Sequence, residues 1–212
     1  ASDDAIHAGS HCPVFPRRGK RAVILCDGPP PPLPLLEYWL DGADLFLCAD
    51  GGGHPYTHLP RLPDAVIGDF DSLTGRLLIG RHGPRYLHVA DQGTTDAEKA
   101  LQYAADEGAK EAVLTGALGW RLDHTLFNVH LLERFSDRLR ICLAGHQCDA
   151  VRIGPGERVV WELPAGLGFS LLPLQAPATG VSVANAEYCL ENATVRTGGP
   201  ALISNRVFEP PL

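Results

Sequence analysis

Short apolar runs alternate with stretches of helical period through the first two thirds of the chain. Arg21–Cys26 (RAVILC) combines apolar and β-branched residues and stops at Asp27-Gly28, the pattern of a buried strand. Runs of the same kind recur at Asp44–Cys48, Ala65–Gly68, Tyr86–Val89, Glu111–Thr115 and Leu139–Leu143. Between them Thr95–Glu107 and Leu122–Phe135 carry helical spacing. In the first, Ala97, Leu101 and Ala104 share one face while Glu98, Lys99 and Asp106 fall elsewhere. This alternation predicts an α/β fold, a mostly parallel sheet flanked by helices. The cluster Pro29–Pro32 reads as a rigid connection of polyproline character.

From about Cys148 the texture changes. Ala150–Ile153, Arg158–Leu163, Phe169–Leu172, Val181–Ala184, Thr194–Arg196 and Ala201–Ile203 are short β-prone stretches divided by Gly, Pro and Asn turns, with no helical period. They predict a small all-β sandwich that needs support from the first domain or from a second chain. The division expected is a polar leader over 1–20, an α/β domain over 21–146 and the β-sandwich over 147–212.

Composition narrows the function classes. Hydrophobic residues at 45% and charged residues at 20% exclude collagen-like, disordered and coiled-coil chains. Eighteen Lys and Arg against 25 Asp and Glu give a net charge of −7, so no basic footprint for nucleic acid is present. Phosphate ligands remain open, because a bound divalent cation inverts the local field. Six cysteines without a CxxC pair argue against a zinc site or a disulfide framework and read as reduced, mostly core thiols. No apolar stretch reaches the length of a membrane span, and residues 1–20 lack the apolar middle of a signal peptide, so a cytoplasmic location is expected.

Candidate chemistry concentrates where predicted strands end. Gly68-Asp69-Phe70-Asp71-Ser72 follows Ala65–Gly68, and ligands of open α/β sheets gather at such carboxyl ends. Asp-x-Asp in an extended segment places both carboxylates on one side, where they repel unless a cation lies between them; Mg²⁺ suits such oxygen donors. A solvated turn with an Asp capping the next helix explains the same spacing. Two further sites favour the cation. Asp50-Gly51-Gly52-Gly53 follows Asp44–Cys48, with glycines that let backbone N–H groups approach an anion. Asp91-Gln92-Gly93-Thr94-Thr95-Asp96 follows Tyr86–Val89 and opens a helix. A fourth segment, Gly116 to His124, carries Arg121, a planar fork for phosphate oxygens, and Asp123, placed to orient or deprotonate a hydroxyl. An Arg121–Asp123 surface ion pair is the alternative. Neither a Walker A sequence nor GxGxxG is present, against a P-loop kinase or a Rossmann dehydrogenase.

Taken in order, Ala49-Asp50-Gly51-Gly52, Ile67-Gly68-Asp69-Phe70-Asp71-Ser72, Asp91-Gln92 with Thr95-Asp96 and Lys99, Gly119 with Arg121-Asp123-His124 and Asn128, and Ser204-Asn205 make the chain resemble the thiamine pyrophosphokinases from about residue 21 to 209. The resemblance implies a catalytic α/β domain, a thiamine-binding β-sandwich, and a homodimer with active sites at the subunit interface. It also implies Mg²⁺-dependent transfer of pyrophosphate from ATP to the thiamine hydroxyl, releasing AMP. By resemblance, Asp69, Asp71 and Asp96 hold Mg²⁺, with Asp71 also catalytic. Asp50, Gly51, Gly52, Gln92, Thr95, Lys99 and Arg121 surround the phosphates. Asp123 lies near the hydroxyl, and Ser204 and Asn205 hold the aminopyrimidine. The chain departs from the family pattern at Gly93, where Asp is usual, at Gly53-His54, where Ala-Asn is usual, and at Tyr188, where a stacking Trp is common. Rival readings are a thiamine- or nucleotide-binding regulator without turnover and a diphosphotransferase for another hydroxylated heterocycle.

Overall fold

Ala22, Val23 and Ile24 are fully buried in strand β1 (Arg21–Leu25). A strand buried on both faces belongs inside a parallel sheet covered by helices. The computed structural model, which describes residues 17–52, 54, 58–70, 83–175, 177–199 and 202–212, places β1 at the centre of seven strands. The chain continues through α1 (Leu33–Asp41), β2 (Leu45–Ala49), β3 (Ala65–Gly68), β4 (Arg85–His88), α2 (Asp96–Asp106), β5 (Glu111–Thr115), α3 (Leu122–Arg134), β6 (Arg140–Ala144) and β7 (Asp149–Val151). The sheet order is β4-β3-β2-β1-β5-β6-β7, parallel except for the last pair. Strands β1 to β4 step outward on one side, and the chain then returns to lay β5 against the other side of β1. The carboxyl ends of β1 and β5 therefore flank a topological switch point, where such sheets open a crevice.

Two local outcomes differ from the pattern read in the sequence. The proline cluster leads into α1, an unpredicted helix: Leu35 and Leu36 donate their N–H groups to the Pro32 carbonyl, and Pro34 occupies the first turn, where a missing N–H costs nothing. Its apolar face, Leu35, Leu36, Trp39 and Leu40, is buried. Further on, Asp149–Val151 extends the first sheet as β7, antiparallel to β6, so that sheet runs past residue 146, the expected end of the α/β domain. The described residues up to Arg152 form one compact unit and Ile153–Leu212 another.

The second unit is β-rich. β8 (Gly168–Leu171) pairs with β11 (Leu202–Arg206), and β9 (Ala178–Val183) with β10 (Leu190–Val195), both antiparallel and with irregular register. Arg158–Leu163 forms no strand; there Trp161 and the terminal Leu212 exchange a pair of backbone hydrogen bonds. Cys26, Cys48, Cys148 and Cys189 are free thiols, whereas Cys142 is disulfide-bonded, so the expectation of reduced cysteines fails for it. Among the described residues no helix is long and apolar enough to cross a membrane.

The crevice is closed by backbone on backbone contact. A Cβ at Gly28, just beyond β1, would lie 2.1 Å from the Gly116 carbonyl oxygen, just beyond β5. Neither partner is a flexible side chain, so Gly28→Ala is expected to cost about 1–3 kcal/mol, the range of overpacked sites. Gly42→Ala, at the end of α1 with ordinary φ and only the Arg21 guanidinium at 3.6 Å, is expected to stay within about 0.5 kcal/mol. Urea denaturation of the two variants beside the parent chain measures the difference.

Candidate functional site

Three strand ends converge their acidic residues. Asp50 follows β2, Asp69 follows β3, and Asp96 opens α2 after the loop from β4. One carboxylate oxygen from each lies within 4.8 Å of the other two. Asp50 is 3% exposed and adopts a left-handed backbone, φ 44°. Its N–H donates to the Ile67 carbonyl at 2.7 Å, and its Oδ1 accepts the Phe70 N–H at 2.9 Å. Gly68 makes this possible, since a Cβ there would meet the Asp50 carboxylate at 2.8 Å. The glycine of the GDFDS segment is thus fixed by the neighbouring strand's carboxylate.

The electrostatics follow from three like charges in a part-buried place. Burial raises the Asp96 pKa above the usual carboxylate range; Lys99 opposes the rise, and Asp50 and Asp69 add to it. Lys99 Nζ is 2.9 Å from Asp96 Oδ1, one helical turn on, with its side chain almost fully buried. Gln92 donates from Nε2 to Asp69 Oδ2 at 3.0 Å. Thr95 is the N-cap of α2, accepting the Glu98 N–H on its hydroxyl. Of the residues expected to surround phosphates, Gln92, Thr95 and Lys99 therefore engage this carboxylate cluster or its helix. Asp50, expected among the phosphate residues, stands inside the cluster. Asp71 lies outside the described residues.

A fourth carboxylate belongs to the neighbourhood. Asp27 follows β1, and a Cβ on Gly51 would lie 3.2 Å from its carboxyl carbon. Burial and the charge of Asp50 raise its pKa. The signal was present in the sequence, because Asp27 follows its strand as Asp50 and Asp69 follow theirs, but an Asp-Gly pair also marks an ordinary turn. Below the cluster the Cys26 thiol is pushed up to about 12, chiefly by burial and further by Asp96 and Asp27. Gly52 is held against the end of β1, where a Cβ would meet the Leu25 carbonyl oxygen at 2.1 Å.

Arg121 and Asp123 engage each other. Nη2 to Oδ2 is 2.7 Å and Nε to Oδ1 is 3.2 Å, a two-point fork on a largely exposed pair. The loop that bears them is fixed from α3. Thr125 Oγ1 accepts the Gly119 N–H and donates toward the Gly119 and Arg121 carbonyls, and the buried Asn128 amide donates to the Ala117 carbonyl at 2.8 Å.

In the second unit Asn205 is fully buried. Its Oδ1 accepts the N–H groups of Tyr188, at 3.0 Å, and Arg206, and its Nδ2 donates to the Tyr188 carbonyl at 2.8 Å. The side chain clasps the Tyr188 backbone, while the Tyr188 ring is exposed. Ser204 is exposed with φ 60°, its N–H bonded to Ser170 Oγ. Sequence reasoning missed the clasp because a buried Asn and a ligand-reading Asn leave the same letter in a β-prone stretch.

A mostly parallel sheet with glycine turns and clustered carboxylates at its strand ends makes this an α/β protein with a charged crevice at a topological switch point, the place where such folds bind ligands. Comparison with known proteins specifies the family. Residues 36–143 match the family described as thiamin pyrophosphokinase, catalytic domain, and residues 162–210 match thiamin pyrophosphokinase, vitamin B1 binding domain. Thiamine pyrophosphokinase 2 of Arabidopsis thaliana is 30% identical over 99% of this chain and 88% of its own length. Thiamine pyrophosphokinase of Bacillus subtilis is 28% identical over 89% and 90%. The crystal structure of the Bacillus subtilis enzyme superposes with a TM-score of 0.70 at 22% identity, covering 90% of this chain and 91% of that one. The yeast structure gives 0.69 at 14%, covering 92% and 82%. The chain belongs to the thiamin pyrophosphokinase family, and its reaction class is pyrophosphate transfer forming thiamine diphosphate.

Two predictions test the local geometry. The Arg121 fork lowers the Asp123 pKa to about 2. A depressed carboxylate keeps its favourable pairing at neutral pH and loses it as pH falls through the folded value. A carboxyl NMR titration is expected to place the Asp123 midpoint near 2, and Arg121→Ala to move it up toward about 4, the value for a free Asp. In the second unit, Asn205→Ala leaves the Tyr188 N–H and carbonyl without their partners. It is expected to destabilise the protein by about 1–3 kcal/mol in urea denaturation, whereas Ser204→Ala, at an exposed side chain, stays within about 0.5 kcal/mol.

Proposed function

We propose that this chain is a Mg²⁺-dependent enzyme that transfers the terminal pyrophosphoryl unit of ATP to the hydroxyl of thiamine, giving thiamine diphosphate and AMP, and that it works in the cytoplasm as a homodimer with interfacial sites. The observation that carries the metal is the Asp50, Asp69 and Asp96 cluster, three carboxylates within 4.8 Å at the sheet's carboxyl end. The donor set fits a hard cation. It offers oxygen atoms only, without thiolate or imidazole, and one internal ammonium, that of Lys99, opposes its charge. Asp71, two residues after Asp69, is the fourth candidate ligand. Bound there, Mg²⁺ neutralises and orients phosphate oxygens.

The chain's own residues supply the rest. Phosphoryl transfer demands positioning and charge stabilisation more than covalent help. Gly51 brings its backbone N–H close to the crevice, where it suits an anion, while the Gly52 N–H closes the turn on the Ala49 carbonyl at 3.0 Å. Arg121 leaves Asp123 to grip the transferring group. The pair is exposed, so water screens it and stands in for it when the guanidinium moves. Asp123, ionised at neutral pH, is then free to accept the thiamine hydroxyl proton in a hydrogen bond and orient the oxygen toward the β-phosphorus. A bond forms from that oxygen to the β-phosphorus, the bond from the β-phosphorus to the AMP oxygen breaks, and the hydroxyl proton leaves through Asp123 to solvent. Tyr188 offers an exposed ring as a stacking surface for the thiamine heterocycles, held in place by Asn205.

AMP release with and without thiamine tests the reaction. AMP and thiamine diphosphate in equal amounts, only when ATP, thiamine and Mg²⁺ are all present, is the expected result. No AMP under any condition identifies a binding protein, and AMP with a different acceptor only identifies another transferase. The same material tests the metal site. Without metal the three carboxylates repel, so Asp69→Asn is expected to raise the melting temperature in chelator. Mg²⁺ is expected to raise the parent's melting temperature and to raise that of Asp69→Asn or Asp50→Asn much less. Turnover of either variant is expected to fall at least about a hundredfold, the scale of one lost electrostatic stabiliser. An equal Mg²⁺ shift in parent and variants assigns the metal elsewhere.

A further inference from the structure

Trp120 is held in an unfavourable conformation and given nothing to bury against. Its φ is 44°, in the left-handed region that bulky L-residues avoid, and the residue is 77% exposed. The backbone around it is fixed. Gly119 has φ 104° and lies against Pro29, where a Cβ would meet Pro29 Cγ at 3.0 Å, and the Arg121 N–H turns back onto the Gly119 carbonyl at 2.6 Å. Thr125 binds Gly119 and Arg121 from the first turn of α3. Released from these ties, the residue would relax to an ordinary conformation; held by them, it presents an indole to solvent, next in the chain to Arg121. Strain of this kind persists where the surrounding structure over-determines it, and such places cluster at ligand sites.

The neighbouring chemistry selects the ligand. The indole is a flat apolar face, the next residue is a permanently charged fork for phosphate oxygens, and both extend from the carboxyl end of β5, beside the switch point. A molecule with a planar ring joined through a short polar spacer to a chain of phosphates satisfies both at once. We propose that Trp120 is the platform on which the base of the nucleotide donor stacks, making it a specificity-determining residue of this enzyme. The proposal rests on the assignment of a nucleoside triphosphate as donor. Stacking strength grows with ring area, so a purine gains more than a pyrimidine, and the platform accounts for a preference between bases without any hydrogen-bond reading of their edges.

Three variants and one optical signal test it. The chain has three tryptophans, and the emission of the parent minus that of Trp120→Phe isolates Trp120. Titration with ATP is expected to quench this difference signal at lower concentration than CTP does, and thiamine alone to leave it unchanged. Trp120→Ala is expected to raise the KM for ATP roughly tenfold, within the range found when a stacking ring is removed. Its kcat and thiamine KM stay within about twofold, and its ATP over CTP preference shrinks. Trp120→Phe restores part of the lost affinity. Trp120→Gly weakens ATP in the same way yet melts no lower than the parent, because glycine tolerates the left-handed backbone. A Trp120 signal that answers thiamine and not ATP overturns the proposal, as does an ATP KM unchanged in Trp120→Ala. A variant that loses both substrates equally while its oligomeric state changes also overturns it, and assigns the indole to contact with a second copy of the chain. A parent enzyme that makes no thiamine diphosphate from ATP fails at the donor assignment instead, a result read on the parent alone.

Discussion

Repulsion among Asp50, Asp69 and Asp96 is the constraint that shapes the rest of the catalytic half. Three carboxylates with oxygens within 4.8 Å are unfavourable in any folded chain, and the surroundings offset the cost piece by piece. Lys99 is placed one turn into α2 with its ammonium on Asp96. The Phe70 N–H is directed at Asp50, and the Gln92 amide at Asp69. The amino terminus of α2 adds its own partial positive charge behind Asp96. None of these groups removes the net negative charge of the site, which is what keeps it receptive to a cation. Gly52 and Gly68 then become unavoidable, because a Cβ would run into the Leu25 carbonyl at the first and the Asp50 side chain at the second.

Much of this was legible in the sequence, for reasons that can be named. The six parallel strands are short runs followed by polar turns, so their existence and parallel sense follow from periodicity and alternation. Asp50, Asp69 and Asp96 were visible as acids at strand ends because a parallel sheet aligns those ends. What the pattern could not supply is the partner of each polar group. Lys99, Thr95 and Gln92 read as phosphate contacts from their position in a motif, whereas in the folded chain their polar atoms hold the acidic cluster and its helix. α1 was hidden behind prolines that read as a loop, although Pro in a first turn is a helix-start signal. β7 was assigned to the wrong texture because three residues with partial burial carry no clear period.

The C-terminal unit follows another logic. Among its described side chains, Ala186, Val195, Val207 and the amide of Asn205 are the buried ones, and Leu172, Tyr188, Ile203 and Phe208 are exposed. So small an apolar interior gives local hydrogen bonding a larger share in fixing its shape. Asn205 illustrates this, since one amide joins Tyr188 and Arg206 in a place where a hydrophobe of similar volume would leave three backbone groups unsatisfied. The exposure of the apolar side chains agrees with a unit that completes its surface against other molecules, ligand or protein.

The buried thiols under the acidic cluster carry a consequence for the enzyme's durability. A thiol reacts as its thiolate, and Cys26, with its pKa pushed up to about 12 by burial and by two carboxylates, holds its proton at any physiological pH. Cys48, buried beside it, is raised further by desolvation and by Cys26 itself. Burial thus keeps both sulfur atoms in the unreactive thiol form, with the charges of Asp96 and Asp27 adding to the effect at Cys26. Oxidative damage is directed instead to the solvent-facing thiols, Cys148 and Cys189.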